Sequence, residues 1–409
     1  MILLAGADLV LPDGVRPRTN LLIDGGRIVA IEPAGTPVAN ATQVDCTDCV
    51  IVPGFIDVHV HGVEGHDVMD GPGAVAAVAE RLPRYGVTAF CPTSIACAPA
   101  VLTAMFEEIT ALRRMPSGTA ARVLPAHLES NFISPEFKGA QPLQCLRRPP
   151  LEYGSVARAL TPPTVAGQFD ADDVMAVITA HQAAVAIVTM APELEGGIEL
   201  VRALVARGHR VSIGHSGASY QQTFAAIDAG VSQATHLFNR MSAMTHRSPG
   251  VPGAVLQSQA VTAELICDGF HVHPALLNVA IRTKGASGIM AITDGTAGSG
   301  LPIGSRTRLG GRPILVTART AELEDGTLAG SVLTMDAAFR SLVQQVGVSL
   351  VDAAVMCATT PARQLGLSDR GRLAVDAAAD LVILTRDLRV RDTYLEGHLW
   401  RNTVAPLDV

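Results

Sequence analysis

Three regimes of hydrophobic patterning divide the chain. From Ile2 to about Pro53, short runs alternate apolar and polar positions and are broken by turn signals at Asp13-Gly14 and Asp24-Gly25-Gly26. A period of two is that of half-buried strands, so residues 1–53 predict a small antiparallel sheet. The closing stretch, 369–409, reads the same way, with Leu381-Val-Ile-Leu384 and Tyr394-Leu-Glu-Gly-His-Leu-Trp400 around a Glu396-Gly397 turn. Each end alone offers too few strands to be stable, so the two ends are expected to pair into one small β-sandwich.

Over residues 54–368 the period changes, and apolar strand-like runs alternate with amphipathic helical stretches. Eight strands are expected: Phe55 to His61, Val87 to Pro92, Val123 to Glu129, Val185 to Met190, Val211 to His215, Gln233 to Leu237, Ala263 to Cys267 and Ile289 to Asp294. Helical patterns follow at Ala74 to Arg84, Ile198 to Arg207, Tyr220 to Ala229 and Pro274 to Lys284, with the eighth helix late, near Met335 to Val346. This alternation predicts an α/β fold, a (β/α)₈ TIM-like barrel. Two loops exceed what connection needs, the proline-rich Ser130 to about Gly167 and the glycine-rich Gly295 to Ser331. Both follow barrel strands, so both are expected over the C-terminal face, where such barrels keep their chemistry.

Composition narrows the function classes. Of 409 residues 48% are hydrophobic, enough for one large core and a smaller one, which excludes a disordered chain. A net charge of -7 with no block of like charges argues against nucleic acid or an anionic membrane as partner. The longest uncharged stretch, Tyr85 to Phe106, carries Pro92 and Pro99 and reads as strand, loop and helix start rather than a membrane span. The N-terminus has no basic region and meets Asp8 early, against a secretory signal. Seven scattered cysteines fit reduced thiols in the cytoplasm. The pair Cys46 and Cys49 lacks a second pair to complete a zinc site and reads as structural.

The candidate chemistry lies at the strand ends. His59 and His61 flank one valine, so both imidazoles face the barrel interior about 7 Å apart along the strand, and Gly62 permits the bend that lets them converge. Glu129 ends the third expected strand, His215 the fifth, His236 the sixth and Asp294 the eighth. All share one rim. Imidazoles and carboxylates without a thiolate suit a divalent ion, with zinc or a similar first-row metal the expected one. His127 faces inward one layer deeper, as an orienting group for Glu129 or as core. His181, His209 and His398 read as surface residues, His273 as part of a helix N-cap before Pro274, and His271 as a substrate contact.

The runs Pro53-Gly-Phe-Ile-Asp-Val-His-Val-His-Gly62, Ser212-Ile-Gly-His-Ser216, Ala234-Thr-His-Leu-Phe-Asn239, Cys267-Asp-Gly-Phe-His271, Ile292-Thr-Asp294 and Leu328-Ala-Gly-Ser331 together resemble the N-acetylglucosamine-6-phosphate deacetylases of the amidohydrolase superfamily. The likeness covers nearly the full length and extends to the N-acetylgalactosamine-6-phosphate deacetylases. It implies metal ligands at Glu129, His215 and His236, a catalytic aspartate at Asp294, and a second ion held by His59 and His61 with Glu129 bridging. One or two divalent ions per subunit are therefore expected. It implies substrate contacts at Ala140, Gln141, Asn239, Arg240, Arg247, His271 and the turn Leu328-Ala329-Gly330. Because the family's arginine at the Arg247 position reaches the neighbouring subunit's site, it also implies a homodimer.

Two departures from the family pattern stand out. His-Leu-Glu-Gly-Pro becomes His127-Leu-Glu-Ser-Asn131, and Lys-Gly-Ala-His becomes Lys138-Gly-Ala-Gln141, where the family's histidine helps polarise the acetyl carbonyl. Glutamine donates a hydrogen bond but carries no charge. The expected activity is removal of the acetyl group from N-acetylglucosamine 6-phosphate. The alternatives are a deacetylase for N-acetylgalactosamine 6-phosphate or another N-acyl compound, and a non-catalytic sugar-phosphate-binding barrel.

Overall fold

A computed structural model describes residues 1–150 and 167–401. The 151–166 part of the proline-rich loop and residues 402–409 lie outside the described residues.

Both chain ends enter one eight-stranded sheet. From the N-terminal end come Ile2–Leu11, Gly14–Asp24, Arg27–Pro33, Thr42–Asp45 and Val50–Pro53, and from the C-terminal end Leu381–Leu384, Val390–Leu395 and His398–Leu399. The seam is the antiparallel pair Val50–Pro53 with Leu381–Leu384, in which Ile51 faces Ile383. The expectation of a purely antiparallel sheet is corrected: Ile2–Leu11 runs parallel to Thr42–Asp45 along its first half and parallel to Val50–Pro53 at Asp8 and Leu9. The first strand is irregular between Leu4 and Leu9, with Gly6 in the left-handed region at φ 78°, so its two halves meet different partners. A cluster of Leu4, Leu9, Leu21, Ile28, Ile51, Ile383 and Tyr394 fills the sandwich. Cys46 and Cys49 are buried free thiols at the turn between the two parallel partners, and the Arg391 guanidinium reaches their sulfurs at 3.5 and 3.2 Å, in keeping with the structural role read from the sequence.

The barrel staves are Phe55–Val60, Val87–Ser94, Ala126–Glu129, Val185–Met190, Arg210–Ile213, Val231–Ala234, Thr262–Ile266 and Ile289–Ile292, all paired in parallel with their chain neighbours. The eighth returns to the first at the rim: the Asp294 N–H donates to His59 O at 2.9 Å and the His61 N–H to Gly295 O at 2.8 Å. The third stave is shorter than expected. Pro125 has no N–H for a ladder, and the expected single strand splits into Arg122–Val123 and Ala126–Glu129.

Helices Tyr220–Ala229 and Pro274–Lys284 have the bounds expected from periodicity, because each carries a strong start signal. Ser219 and Gln222 form a capping box on the first, and His273 caps the second by accepting the Ala275 N–H at 3.2 Å. The eighth helix, Met335–Ser341, continues as a π-helical turn over Leu342–Val346. Before it, the glycine-rich excursion folds into a three-stranded sheet, Arg306–Leu309, Arg312–Val316 and Ala321–Glu322, whose own small core packs on Ile95. No helix among the described residues is long and apolar enough to cross a membrane.

Ile383 is fully buried on the seam strand. Replacing it with alanine is expected to destabilise the protein by about 2–5 kcal/mol, the range for emptying a well-packed site. Denaturant unfolding checks this, and a loss below about 1 kcal/mol would mean that the C-terminal strands do not complete the N-terminal core.

Candidate metal centre and active site

Each site side chain sits at or just beyond the end of a stave. Glu129 is the last residue of the third stave and His61 the first after Val60, whereas His215, His236 and Asp294 each stand two residues past Ile213, Ala234 and Ile292. Those three share an unusual backbone, with φ of 47°, 31° and 49°. A left-handed turn at a non-glycine residue costs of order 1–3 kcal/mol and persists only where the surroundings enforce it. It lets a residue beyond the ladder swing its side chain back over the barrel axis. Gly62 is required on the first stave, because a Cβ there would lie 2.2 Å from His66 O and 2.8 Å from Ala297 N.

Hydrogen bonds on the outer nitrogens of His61 and His215 fix which atom these two imidazoles offer. His61 Nδ1 lies 3.0 Å from Thr93 O and His215 Nδ1 lies 2.8 Å from Phe137 O. A carbonyl only accepts, so both Nδ1 atoms carry a proton, and Nε2 is the atom that each ring turns inward, where a cation takes the place of any proton it holds. His215 Nε2 and His236 Nε2 approach to 3.2 Å, with Glu129 Oε1 2.8 Å from the first and 3.0 Å from the second. On the other side of Glu129, His59 Nε2 lies 3.9 Å from its Oε1 and His61 Nε2 4.0 Å from its Oε2. Asp294 Oδ1 stands between these two imidazoles, 3.3 Å from His59 Nε2 and 3.1 Å from His61 Nε2.

This donor set fits a divalent cation. Ligands at zinc distances of about 2.0–2.1 Å in a tetrahedron are separated by roughly 3.3 Å, close to the edges of the Glu129, His215 and His236 triangle. His59 Nε2 is buried with no hydrogen-bond partner among the described residues, and a buried nitrogen left so is costly. Two groups meet the spacing of a metal site around Glu129, one with His215 and His236 and one with His59 and His61.

Charge is held accordingly in the metal-free chain. Burial opposes a charged His236, but the Glu129 carboxylate outweighs it and raises the imidazole to about 9. Burial likewise opposes a charged His61, and Asp294 and Glu129 raise it to about 9. For His59 burial wins and lowers it to about 4. Burial disfavours the ionised carboxylates, but the surrounding imidazoles overcome it and hold Glu129 well below the usual range and Asp294 below it.

His61, Glu129, His215, His236 and Asp294 line a cleft at the rim. Of the expected substrate contacts, Ala140, Gln141, Asn239, Arg240, His271, Leu328 and Gly330 line it. Ala329 does not: it is fully buried in the core of the excursion. Arg247 is exposed and away from the cleft on this chain. His271 is held by Asp268, whose Oδ2 lies 2.6 Å from Nδ1. Gln141 is more constrained than the sequence suggests. Its Oε1 accepts the Ala96 N–H at 2.7 Å, which fixes the amide orientation, and its Nε2 donates to Glu129 Oε2. One amide hydrogen remains for the cleft.

The two departures at the third stave are absorbed as structure. Ser130 donates to Thr189 O at 2.6 Å, and Asn131 donates to Cys97 O and Cys145 O at 2.8 and 2.7 Å. His127 does not orient Glu129; it lies 2.9 Å from Val58 O and 2.7 Å from Thr189 Oγ1, below the site. His209, expected at the surface, is buried, with Nδ1 3.0 Å from Val185 O. Sequence reasoning missed Asp57 and Glu264, two fully buried carboxylates beneath the rim. Each was visible as a lone acid inside an apolar strand run.

The amidohydrolase family profile matches residues 50–400. The chain belongs to the amidohydrolase family, in the lineage of the N-acetylglucosamine-6-phosphate deacetylases. It is 35% identical to the N-acetylglucosamine-6-phosphate deacetylase of Lysinibacillus sphaericus over 87% of both chains. It is 34% identical to the N-acetylgalactosamine-6-phosphate deacetylase of Escherichia coli O157:H7, over 96% of this chain and 97% of that one. Among solved structures, a variant of the Mycobacterium smegmatis N-acetyl-D-glucosamine-6-phosphate deacetylase, in complex with N-acetyl-D-glucosamine-6-phosphate, superposes with a TM-score of 0.85 at 30% identity, over 97% of this chain and 98% of that one. As an amidohydrolase, the chain is a metal-dependent hydrolase.

Because His61 and His236 are held protonated to about pH 9 without metal, a cation must displace a proton at each. At pH 7 loading is expected to release about one proton per site. Affinity should rise with pH and level off above about 9. Calorimetric titrations in buffers of different ionisation enthalpy measure this, and pH-independent affinity without proton release would contradict the charge assignment.

Proposed function

We propose that the chain hydrolyses the acetamido group of N-acetylglucosamine 6-phosphate, giving glucosamine 6-phosphate and acetate. The observation that carries the reading is the buried convergence of four imidazole Nε2 atoms and the Glu129 carboxylate beside Asp294, at the floor of a cleft lined by Gln141, Asn239, Arg240 and His271. Glu129, His215 and His236 would hold one divalent ion, and His59 and His61 with Glu129 a second. The all-nitrogen-and-oxygen donor set favours zinc. Ions bound there supply Lewis acidity, making a water more acidic and polarising the amide carbonyl.

The chain's own groups do the proton work. Asp294 is kept ionised by its histidine neighbours, and its backbone is pinned on both sides, its N–H donating to His59 O and its C=O accepting the Ser331 N–H at 2.7 Å. It is the general base that takes the proton from the attacking water and then delivers it to the amine, because an amide nitrogen leaves only when protonated. The free amide hydrogen of Gln141 meets the carbonyl oxygen as it gains charge, in place of a charged histidine. Arg240 and His271, which line the cleft, are assigned to the sugar and its phosphate. Arg247, exposed on this chain, is assigned to the phosphate in the cleft of a second copy, so the working form is proposed to be a homodimer in the cytoplasm.

A second reading concerns the sugar alone, since identity to the galactosamine-type relative, 34% over 96% of this chain, matches that to the glucosamine-type ones. Amine release from N-acetylated hexosamines with and without the 6-phosphate separates the two epimers and tests the phosphate requirement. Asp294→Asn is expected to retain metal while turnover falls at least 10²-fold, about the contribution of a positioned acid–base group. Full turnover in that variant would refute the base assignment. Arg247→Ala is expected to raise KM for phosphorylated substrates selectively, and an equal rise for unphosphorylated sugars would remove the phosphate role.

A further inference from the structure

Below the rim, one carboxylate faces the first stave and has no role in the proton transfers described above. Glu264 lies in the middle of Thr262–Ile266 and is fully buried. Its Oε2 is 3.0 Å from His59 Nδ1 and 3.4 Å from the backbone nitrogen of His236. Among the described residues its Oε1 has no hydrogen-bond partner. The nearest other cationic candidate, His127, is 3.6 Å away and already spends both ring nitrogens on Val58 O and Thr189 Oγ1.

We infer that Glu264 is a positioning residue: it holds His59 as the Nδ1–H tautomer, aims its Nε2 lone pair at the centre, and so creates the second cation position. The inference rests on the two-ion reading proposed above. Donors and acceptors fix the tautomer. The backbone N–H of His236 donates to Oε2, and as a carboxylate Glu264 can only accept. Oε2 therefore accepts from His59 as well, and the imidazole proton sits on Nδ1. The opposite tautomer would direct an N–H at Asp294 and Glu129, leaving no lone pair for an ion. His61 and His215 receive the same service from backbone carbonyls, which no side-chain substitution can remove. His59 depends on a side chain of the seventh stave, 205 residues away in sequence, and with it the second ion. Ring orientation is also constrained, because His127 packs edge-on against His59 with centroids 4.5 Å apart.

Glu264→Met keeps the volume of the side chain and removes the acceptor. Wild-type protein titrated with cobalt(II) is expected to bind two ions per chain, read by metal analysis and by the visible absorption of each site. In Glu264→Met the first ion, on Glu129, His215 and His236, should bind as before, and the second should weaken about 10–100-fold, the usual cost of losing a group that orients a ligand. A second measurement needs no substitution at Glu264: ¹⁵N chemical shifts of the histidines in metal-free wild type, with the His59 signal assigned by its loss in His59→Gln, should report Nδ1–H. A merely structural glutamate would move neither the tautomer nor one site selectively. The inference is overturned if Glu264→Met binds its second ion like wild type or if His59 is the Nε2–H tautomer. Should wild type bind fewer than two ions, the two-ion reading fails by itself, and the His59 tautomer still decides what Glu264 does.

Discussion

Everything at the rim is organised around lone pairs that face one another in a space shut off from water. Two imidazole nitrogens at 3.2 Å with a carboxylate oxygen against both are tolerable only when a positive charge lies among them. Without metal that charge is protons, which is why His236 and His61 are pushed to about 9 against the penalty of burial. A divalent ion answers the same electrostatic demand with better geometry. The centre is thus preorganised for a cation before one arrives, and burial raises what such a cation is worth by lowering the local dielectric.

The barrel supplies this arrangement by stopping its strands early. Three of the site residues lie two positions beyond their ladders in left-handed turns, a local strain of order 1–3 kcal/mol each that the closed barrel sustains. Rim hydrogen bonds between the first and eighth staves lock Asp294 against His59. Beneath lies a continuous polar layer in which Thr189, Thr235 and Ser212 are linked at 2.6 Å, with His127 bonded to Thr189. Such a layer is stable inside a protein only when its groups are satisfied, and satisfied groups do not drift.

Much of this was legible in the sequence. Strand periodicity set His59, His61, Glu129, His215, His236 and Asp294 on one rim, because side-chain alternation and stave order are encoded locally. Alternation in the terminal segments likewise marked which faces are buried, but not which strands pair, so the parallel partners of Ile2–Leu11 were not foreseen. The orientation of Gln141 was illegible because it depends on where the Ala96 N–H falls, a contact 45 residues distant. Ala329 looked like part of a binding turn, yet the excursion folds so that its methyl enters a satellite core. Glu264 was overlooked for an opposite reason: a single acid within an apolar run has no spacing signature, and its meaning appears only when closure of the barrel brings the seventh stave within reach of the first.

The central claim is that a cation belongs where these lone pairs meet. The most direct measurement is a crystal structure of zinc-loaded protein with anomalous diffraction recorded on both sides of the zinc edge. A peak is expected bonded to Glu129 and to Nε2 of His215 and His236, with a second on the side of His59 and His61. Fully loaded crystals with no peak at the first position, or with zinc bound only to surface residues, would contradict the account.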